Sequence, residues 1–303
     1  MRVSRLALLG GMLGTLAACG GGGSGIGSTP TPTPTPTAQT NPTLTNLQYS
    51  ESFTGRAATI QFALSATTGI ATSRGSVSNA SSQLRYDAAS RSYTLTGSLP
   101  AATFGPAERD AASSNATITT YGRTNGTRQD AFVLFSPGAG NPQLALTYAS
   151  YGALQSITTG GSNLDIDTSF FTYGVLTPAA DMPKTGAATY QTLIDGLFAG
   201  SAGTYSLSGS GQFAADFAAQ TVSFTMAPVG TPVLSGSAKS FGTLSGTGRI
   251  SGGNQFDANA SGGAYSAGLA GYFYGPAAAE IGGTFTLSGA DGSGVGALVG
   301  KKN

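Results

Sequence analysis

The stretch Gly271-Tyr272-Phe273-Tyr274-Gly275-Pro276-Ala277-Ala278-Ala279-Glu280-Ile281-Gly282-Gly283-Thr284-Phe285 reads as two strands joined by a forced turn. Aromatic residues fill the first run, and Gly275-Pro276 ends it, because proline cannot donate to a ladder and glycine adopts the backbone angles of a sharp turn. Three alanines make a tight helical turn. The paired Gly282 and Gly283 then let the second strand start close to its neighbour. Glu280 and Tyr274 are expected to lock this turn by hydrogen bonding rather than to touch a ligand.

The same pattern extends on both sides. Apolar residues alternate with small or polar ones at Tyr190, Thr192 and Ile194, at Phe213, Ala215 and Phe217, and at Val222, Phe224 and Met226. Later runs follow Phe256, Ala258 and Ala260, then Leu269, Gly271 and Phe273, then Gly283, Phe285 and Leu287, and finally Val295, Ala297 and Val299. A side-chain period of two marks strands with one buried face. Seven or eight such strands within about 120 residues, joined by tight turns, predict a small antiparallel barrel of eight strands with a filled interior, whose closure leaves no free edge. A membrane-spanning barrel would need lipid-facing apolar bands and aromatic girdles, which these strands lack. The segment from Gly294 to Gly300 has glycines spaced as in a phosphate loop, but no helix follows it.

Upstream, residues 59–64 and 93–95 alternate likewise. Asn125-Gly126 lies between residues 116–123 and 128–135 and is the strongest hairpin signal in the chain. Residues 144–151 are expected to form a further strand. Two prolines, Pro178 and Pro183, bracket a short polar piece that suits neither strand nor helix and mark a boundary. The predicted organisation is therefore all-β. A β-rich domain over residues 46–178 precedes the barrel over residues 183–303.

The fifteen-residue stretch resembles the barrel signature of the transferrin-binding protein B family of surface lipoproteins, in which a strand ends in Phe-Tyr-Gly-Pro, a turn carries Glu, and Gly-Gly-x-Phe opens the next strand. Met182-Pro183-Lys184-Thr185-Gly186 resembles the family's lead into the barrel, and Leu146-Thr147-Tyr148-Ala149-Ser150-Tyr151-Gly152 resembles the end of its handle domain. The resemblance implies that residues 46–178 are a handle-like domain. It also implies ligand binding through variable loops, and it carries over no contact residue. Larger family members have two handle-and-barrel lobes, whereas this chain has room for one.

The N-terminus carries a second resemblance. Arg2 and Arg5 precede an apolar run over residues 6–16 that ends in Leu16-Ala17-Ala18-Cys19, the regions of a secretory signal in order. The run is shorter than the roughly 18 residues a membrane span needs. Leu-Ala-Ala-Cys resembles the bacterial lipobox, which implies removal of residues 1–18 and acylation of Cys19. Cys19 is the only cysteine, so no disulfide can form within a monomer. Gly20, rather than Asp, follows it, which by resemblance to proteobacterial lipoproteins points to the outer membrane. Residues 19–45 are glycine- and serine-rich and then alternate threonine with proline, a composition that makes a tether.

Composition limits the chemistry. Lys and Arg number 14 against 13 Asp and Glu, without runs of like charge, so no nucleic-acid partner is expected. With no histidine and no spare cysteine, His-based catalysis, zinc and iron–sulfur sites and His-ligated haem are excluded. No cofactor, metal or catalytic site is expected. Asp165 and Asp167 share a strand face as the one candidate carboxylate pair, and a solvated face accounts for them better. Any haem contact would need tyrosine, from Tyr121, Tyr148, Tyr151, Tyr173, Tyr272 or Tyr274. The expected partners are the lipid bilayer, through acylated Cys19, a protein or small-molecule ligand, and an outer-membrane receptor. These point to iron or haem acquisition. The alternatives are an adhesin or host-factor binder of the same fold and, further off, a carboxylate-dependent envelope enzyme.

Overall fold

The structure is a computed structural model and describes residues 39–303 other than 69, 73, 74, 98 and 235. The expected signal peptide, Cys19 and the expected tether through residue 38 lie outside the described residues. The described residues are all-β apart from two short 3₁₀ turns, in two antiparallel sheets. The handle contains β1 (Glu51–Ser65), β2 (Ser76–Asp87), β3 (Ser92–Thr96), β4 (Ala102–Phe104), β5 (Arg109–Asp110), β6 (Ile118–Asn125), β7 (Arg128–Phe135), β8 (Ala149–Gly160) and β9 (Asn163–Gly174), in the order β4-β3-β2-β1-β9-β8-β7-β6-β5. The barrel sheet contains β10 (Ala187–Gly200), β11 (Gly203–Asp216), β12 (Thr221–Met226), β13 (Val229–Pro232), β14 (Lys239–Ser240), β15 (Leu244–Ser251), β16 (Gln255–Gly262), β17 (Tyr265–Tyr274), β18 (Glu280–Gly289) and β19 (Gly292–Lys302). Pairing of β10 with both β19 and β11 closes eight of these strands into a ring, while β13 and β14 extend the upper half of β11.

Inward-facing residues fill the barrel with an aromatic core around Tyr190, Phe198, Phe213, Phe256, Phe273 and Phe285. The deciding stretch forms the end of β17, a 3₁₀ turn over Pro276–Ala278, and the start of β18. Gly271 faces Gly283, and a Cβ on Gly271 would stand 2.4 Å from the Gly282 carbonyl oxygen, so the close approach needs glycine. The turn departs from the regular helical geometry expected of three alanines, since Ala277 and Ala278 have φ of 50° and 57°. Left-handed alanine costs roughly 1–2 kcal/mol per residue. Neighbours hold it there: the Tyr190 hydroxyl donates to Ala278 O at 2.7 Å, and the Thr177 hydroxyl to Gly275 O at 2.6 Å.

The handle sheet curls on itself. Phe104 of β4 stacks on Phe132 of β7 at 4.9 Å, and Arg123 of β6 lies over the Phe104 ring while donating to Thr103 O. The Asn125-Gly126 hairpin forms as expected, with Gly126 at φ 61°. Two sequence expectations need correction. Asn41 and Leu44, read as tether, are buried: Asn41 Oδ1 accepts from the Gln48 and Tyr49 N–H groups, and Leu44 joins the handle core. The strand expected over residues 144–151 begins only at Ala149 and runs on to Gly160.

That shift has a cause in the barrel. The N–H groups of Thr147, Tyr148 and Ala149 donate to the Glu280 carboxylate at 2.8 Å each, so they cannot enter a strand ladder. Glu280, 1 % exposed, thereby joins the two domains rather than only locking its own turn. Burial pushes its carboxyl up from the usual range, and the three N–H donors oppose that shift. Tyr274 does not act by hydrogen bonding. Its hydroxyl is buried without a partner, and its ring packs with Tyr272, Ala149, Tyr148 and Leu176.

Around this point the outer faces of β10 and β19 carry Leu197, Ala199, Val295, Ala297 and Val299, which pack on Ile60, Phe62, Phe135, Tyr151 and Phe170 of the handle. Arg56 of β1 reaches Gln255 at 3.1 Å and lies over the Tyr272 ring. The Tyr151 hydroxyl donates to Asp195 Oδ2 at 3.1 Å within the same junction. Burial raises the Asp195 carboxyl to about 6, against the opposing effect of the Tyr151 hydrogen bond.

Glu280→Ala is expected to destabilise the chain by about 3–5 kcal/mol in denaturant unfolding, because it strands three donors, one buried and two half-buried, at the domain junction. A loss below about 1 kcal/mol would contradict this role. For Asp195 the folded-state value is the raised one, so its contribution is complete below the unfolded value of 3.8 and is lost as pH rises through about 6. Asp195→Asn keeps an acceptor for Tyr151 and needs no buried charge. Its melting temperature should match the wild type near pH 4 and exceed it near pH 8, by up to roughly 3 kcal/mol of stability.

Candidate functional site: the end remote from the tether

Strand directions give the body two distinct ends. The chain enters at Asn41, beside Glu51, and β1 then runs away for 15 residues, roughly 45 Å at the usual strand rise. Residues 136–148, the connection over residues 175–186, the Pro276–Ala278 turn and the C-terminus lie at the entering end. Residues 66–68, 70–72 and 75 of the handle lie at the far end, together with the barrel turns at 201–202, 263–264 and 290–291 and the described residues from β13 to Phe241. Among the described residues, the large hydrophobic side chains that stand exposed are Ile70, Val229, Val233 and Leu234, and all four are at this far end.

Val229, Val233 and Leu234 belong to a flap over the barrel mouth, and its order follows from specific contacts. Val229 and Gly230 pair with Ser240 and Lys239, and the Val233 N–H donates to Thr204 O at 2.9 Å. Phe241, buried, plugs the mouth edge-on between Phe198 at 4.8 Å and Tyr265 at 5.0 Å. Outside this plug, Lys239 Nζ meets Asp291 Oδ2 at 2.8 Å, and the Tyr265 hydroxyl donates to the same oxygen at 2.9 Å. Lys239 also sits above the Phe241 and Tyr265 rings. The Asp291 and Tyr265 hydrogen bonds push the lysine up to about 12. Burial would raise Asp291, but the Lys239 and Tyr265 hydrogen bonds outweigh it and hold the carboxyl below its ordinary value. A cavity of about 200 Å³ lies between Ala71 and Thr72 of the handle and Ser201, Ala290 and Asp291 of the barrel. The end thus offers exposed apolar side chains beside a latched ion pair, a surface suited to a protein partner.

The residues singled out from sequence do not assemble there. Cys19 lies outside the described residues. Tyr121 and Tyr173 sit in the handle core, Tyr151 in the junction, and Tyr148, Tyr272 and Tyr274 in the cluster beside Glu280, so these tyrosines do not converge on one site. Asp167 accepts from Gln61 Nε2 at 2.8 Å, and Asp165 stands exposed nearby on β9; neither lines any of the cavities described. The segment from Gly294 to Gly300 is β19. Among the described residues no group of three or more His, Cys, Asp or Glu side chains could hold a metal ion. The flap is not among the elements expected from the sequence; its signal is Pro232-Val233-Leu234, an apolar pair flanked by Ser, Gly and Pro.

Comparison with known proteins bears on the barrel directly. The family model described as the C-lobe and N-lobe β-barrels of Tf-binding protein B matches residues 182–302, from just before β10 to the end of β19. Residues 182–302 are a barrel domain of the transferrin-binding protein B type. Among solved structures, intact Ap-TbpB with its N and C lobes aligns at 14% identity over 84% of this chain and 77% of that one, with a TM-score of 0.42. A double mutant of transferrin binding protein B from Haemophilus parasuis Hp5 aligns at 16% identity over 84% and 76%, also at 0.42. The N-lobe of lactoferrin binding protein B from Moraxella bovis aligns at 16% over 61% and 79%, at 0.34. No curated protein matches the chain.

Within the TbpB-type barrel, Lys239 and Asp291 connect the flap to the β18–β19 turn, and neither is required by the closed ring of strands. Asp291→Ala should therefore raise amide exchange, corrected for intrinsic rates, across Val229, Gly230 and residues 237–241 while leaving β10 and β19 protected. In the wild type the depressed Asp291 value means that the latch holds above the unfolded value of 3.8 and is lost as pH falls below it. An exchange profile indifferent to Asp291→Ala would remove the latch.

Proposed function

We propose that the chain is an outer-membrane lipoprotein, acylated on Cys19, that holds its apolar far end away from the membrane. There it captures an iron-carrying host protein of the transferrin type, beside an outer-membrane receptor. The observation that carries this reading is the gathering of Ile70, Val229, Val233 and Leu234 at the end opposite the one where the tether joins. The match of residues 182–302 to a family of Tf-binding proteins supports the ligand class. The lipobox resemblance supports the anchor, and the Thr-Pro tether supplies the reach. Apolar anchors that the fold itself keeps ordered lose little entropy on binding, which favours them as the central contacts of an interface.

The test is binding of the full chain to iron-loaded transferrin, lactoferrin and haemoglobin by surface plasmon resonance, with growth of a deletion strain on each as sole iron source. Transferrin or lactoferrin should bind and support growth only in the presence of the chain. Val233→Asp with Leu234→Asp should weaken that binding at least about 30-fold, near 2 kcal/mol. If neither transferrin nor lactoferrin binds, or if the double variant binds as the wild type does, the reading fails, and binding of haemoglobin or adhesion to another host factor takes its place.

A further inference from the structure

The side of the barrel turned away from the handle has a different chemistry. The handle packs against β17, β18, β19 and β10, which leaves the outer faces of β11, β12, β15 and β16 uncovered. Across them runs a groove of about 690 Å³, several times larger than the cavity at the far end. Strand register sets its side chains in two rows. Gln212 faces Thr225, Thr225 faces Ser245 and Ser245 faces Ser261, while in the second row Ser223 faces Thr247 and Thr247 faces Asn259.

We propose that this groove binds an uncharged glycan. All seven side chains are neutral and carry hydroxyl or amide groups that both donate and accept, which complements the hydroxyls of a sugar. Among the described residues, no hydrogen bond to another protein group occupies any of the seven, so their capacity is open to a ligand. The next row carries charge: Arg249 and Asp257 pair with each other at 3.4 Å, and Asp216 accepts from the Ala218 and Ala219 N–H groups. Without a free cation the groove does not suit a phosphate or carboxylate, and without an exposed aromatic or aliphatic anchor it does not suit a protein partner. Adjacent strands lie about 4.8 Å apart, close to the advance of one sugar in an extended glycan, so successive residues of the chain would meet successive strands. The absence of a stacking aromatic places the affinity in the weak range. Leu234 and the flap take no part, so this site stands independently of the proposed iron-protein binding.

The experiment is saturation-transfer NMR of the full chain with two kinds of neutral probe at millimolar concentration: O-polysaccharide from the producing cell, and desialylated N-glycan from a serum glycoprotein. Transfer from either supports the site, and the probe that responds tells whether the source is the cell's own surface or the host. Thr225→Val with Thr247→Val preserves shape and strand propensity on an exposed face, and should weaken the responding glycan at least about tenfold. Val233→Asp with Leu234→Asp should leave the glycan signal unchanged. Absence of transfer from both probes overturns the proposal, as does equal binding by the Thr225→Val, Thr247→Val chain.

Discussion

Glu280 is a buried carboxylate whose oxygens accept from three consecutive main-chain N–H groups of the other sheet, and the arrangement of both domains turns on that contact. A carboxylate can be taken out of water at tolerable cost only where several donors replace its hydration. The donors come from residues 147–149, so the chain there cannot begin its strand until the carboxylate has been satisfied. The same contact fixes where β8 starts and how the handle lies against β18. Leu197, Val295, Val299 and their handle partners add apolar area around it, but apolar packing alone has no direction. The carboxylate supplies the register.

The barrel divides its circumference between two tasks. On β17, β18, β19 and β10 both faces of the sheet are largely buried, one in the barrel core and one under the handle. On β12 and β16 buried apolar residues still alternate with more exposed polar ones, and on β11 and β15 glycines take several of the inward positions between exposed Ser, Thr and Gln. The low charged content of the chain follows from this arrangement, because the solvated faces use small neutral residues. Glycine is required where strands approach most closely: a Cβ on Gly211 or Gly246 would stand 2.0 Å from a neighbouring carbonyl oxygen.

The parts of the fold that depend on local rules were readable in advance. Alternation located the barrel strands, Asn125-Gly126 located a hairpin, and Gly275-Pro276 with Gly282-Gly283 located the turn that identifies the barrel. What escaped was decided by side-chain partners that no pattern of alternation or turn residues marks, some near in sequence and some far. Residues 144–148 alternate well enough to be a strand, but Glu280, 131 to 133 positions away from residues 147–149, claims their donors. Asn41 looks like tether until Gln48, Tyr49 and Glu51 surround it. Similarly, the Ser, Gly and Pro around Val233 and Leu234 mark a loop, but nothing local says that its apolar pair faces solvent. The far-end surface became visible only once burial was known.

The curled handle has a further consequence for behaviour in company. Its outermost strands, β4 and β5, have three and two residues, and Phe104, Arg123 and Phe132 fasten the curl with side chains. The other sheet is a ring. Among the described residues the outer edge of Ser76–Ser82 in β2, beyond the reach of β3, is left open, so cross-chain pairing, the usual route from crowding to aggregation, would have to begin on this short, serine-rich segment.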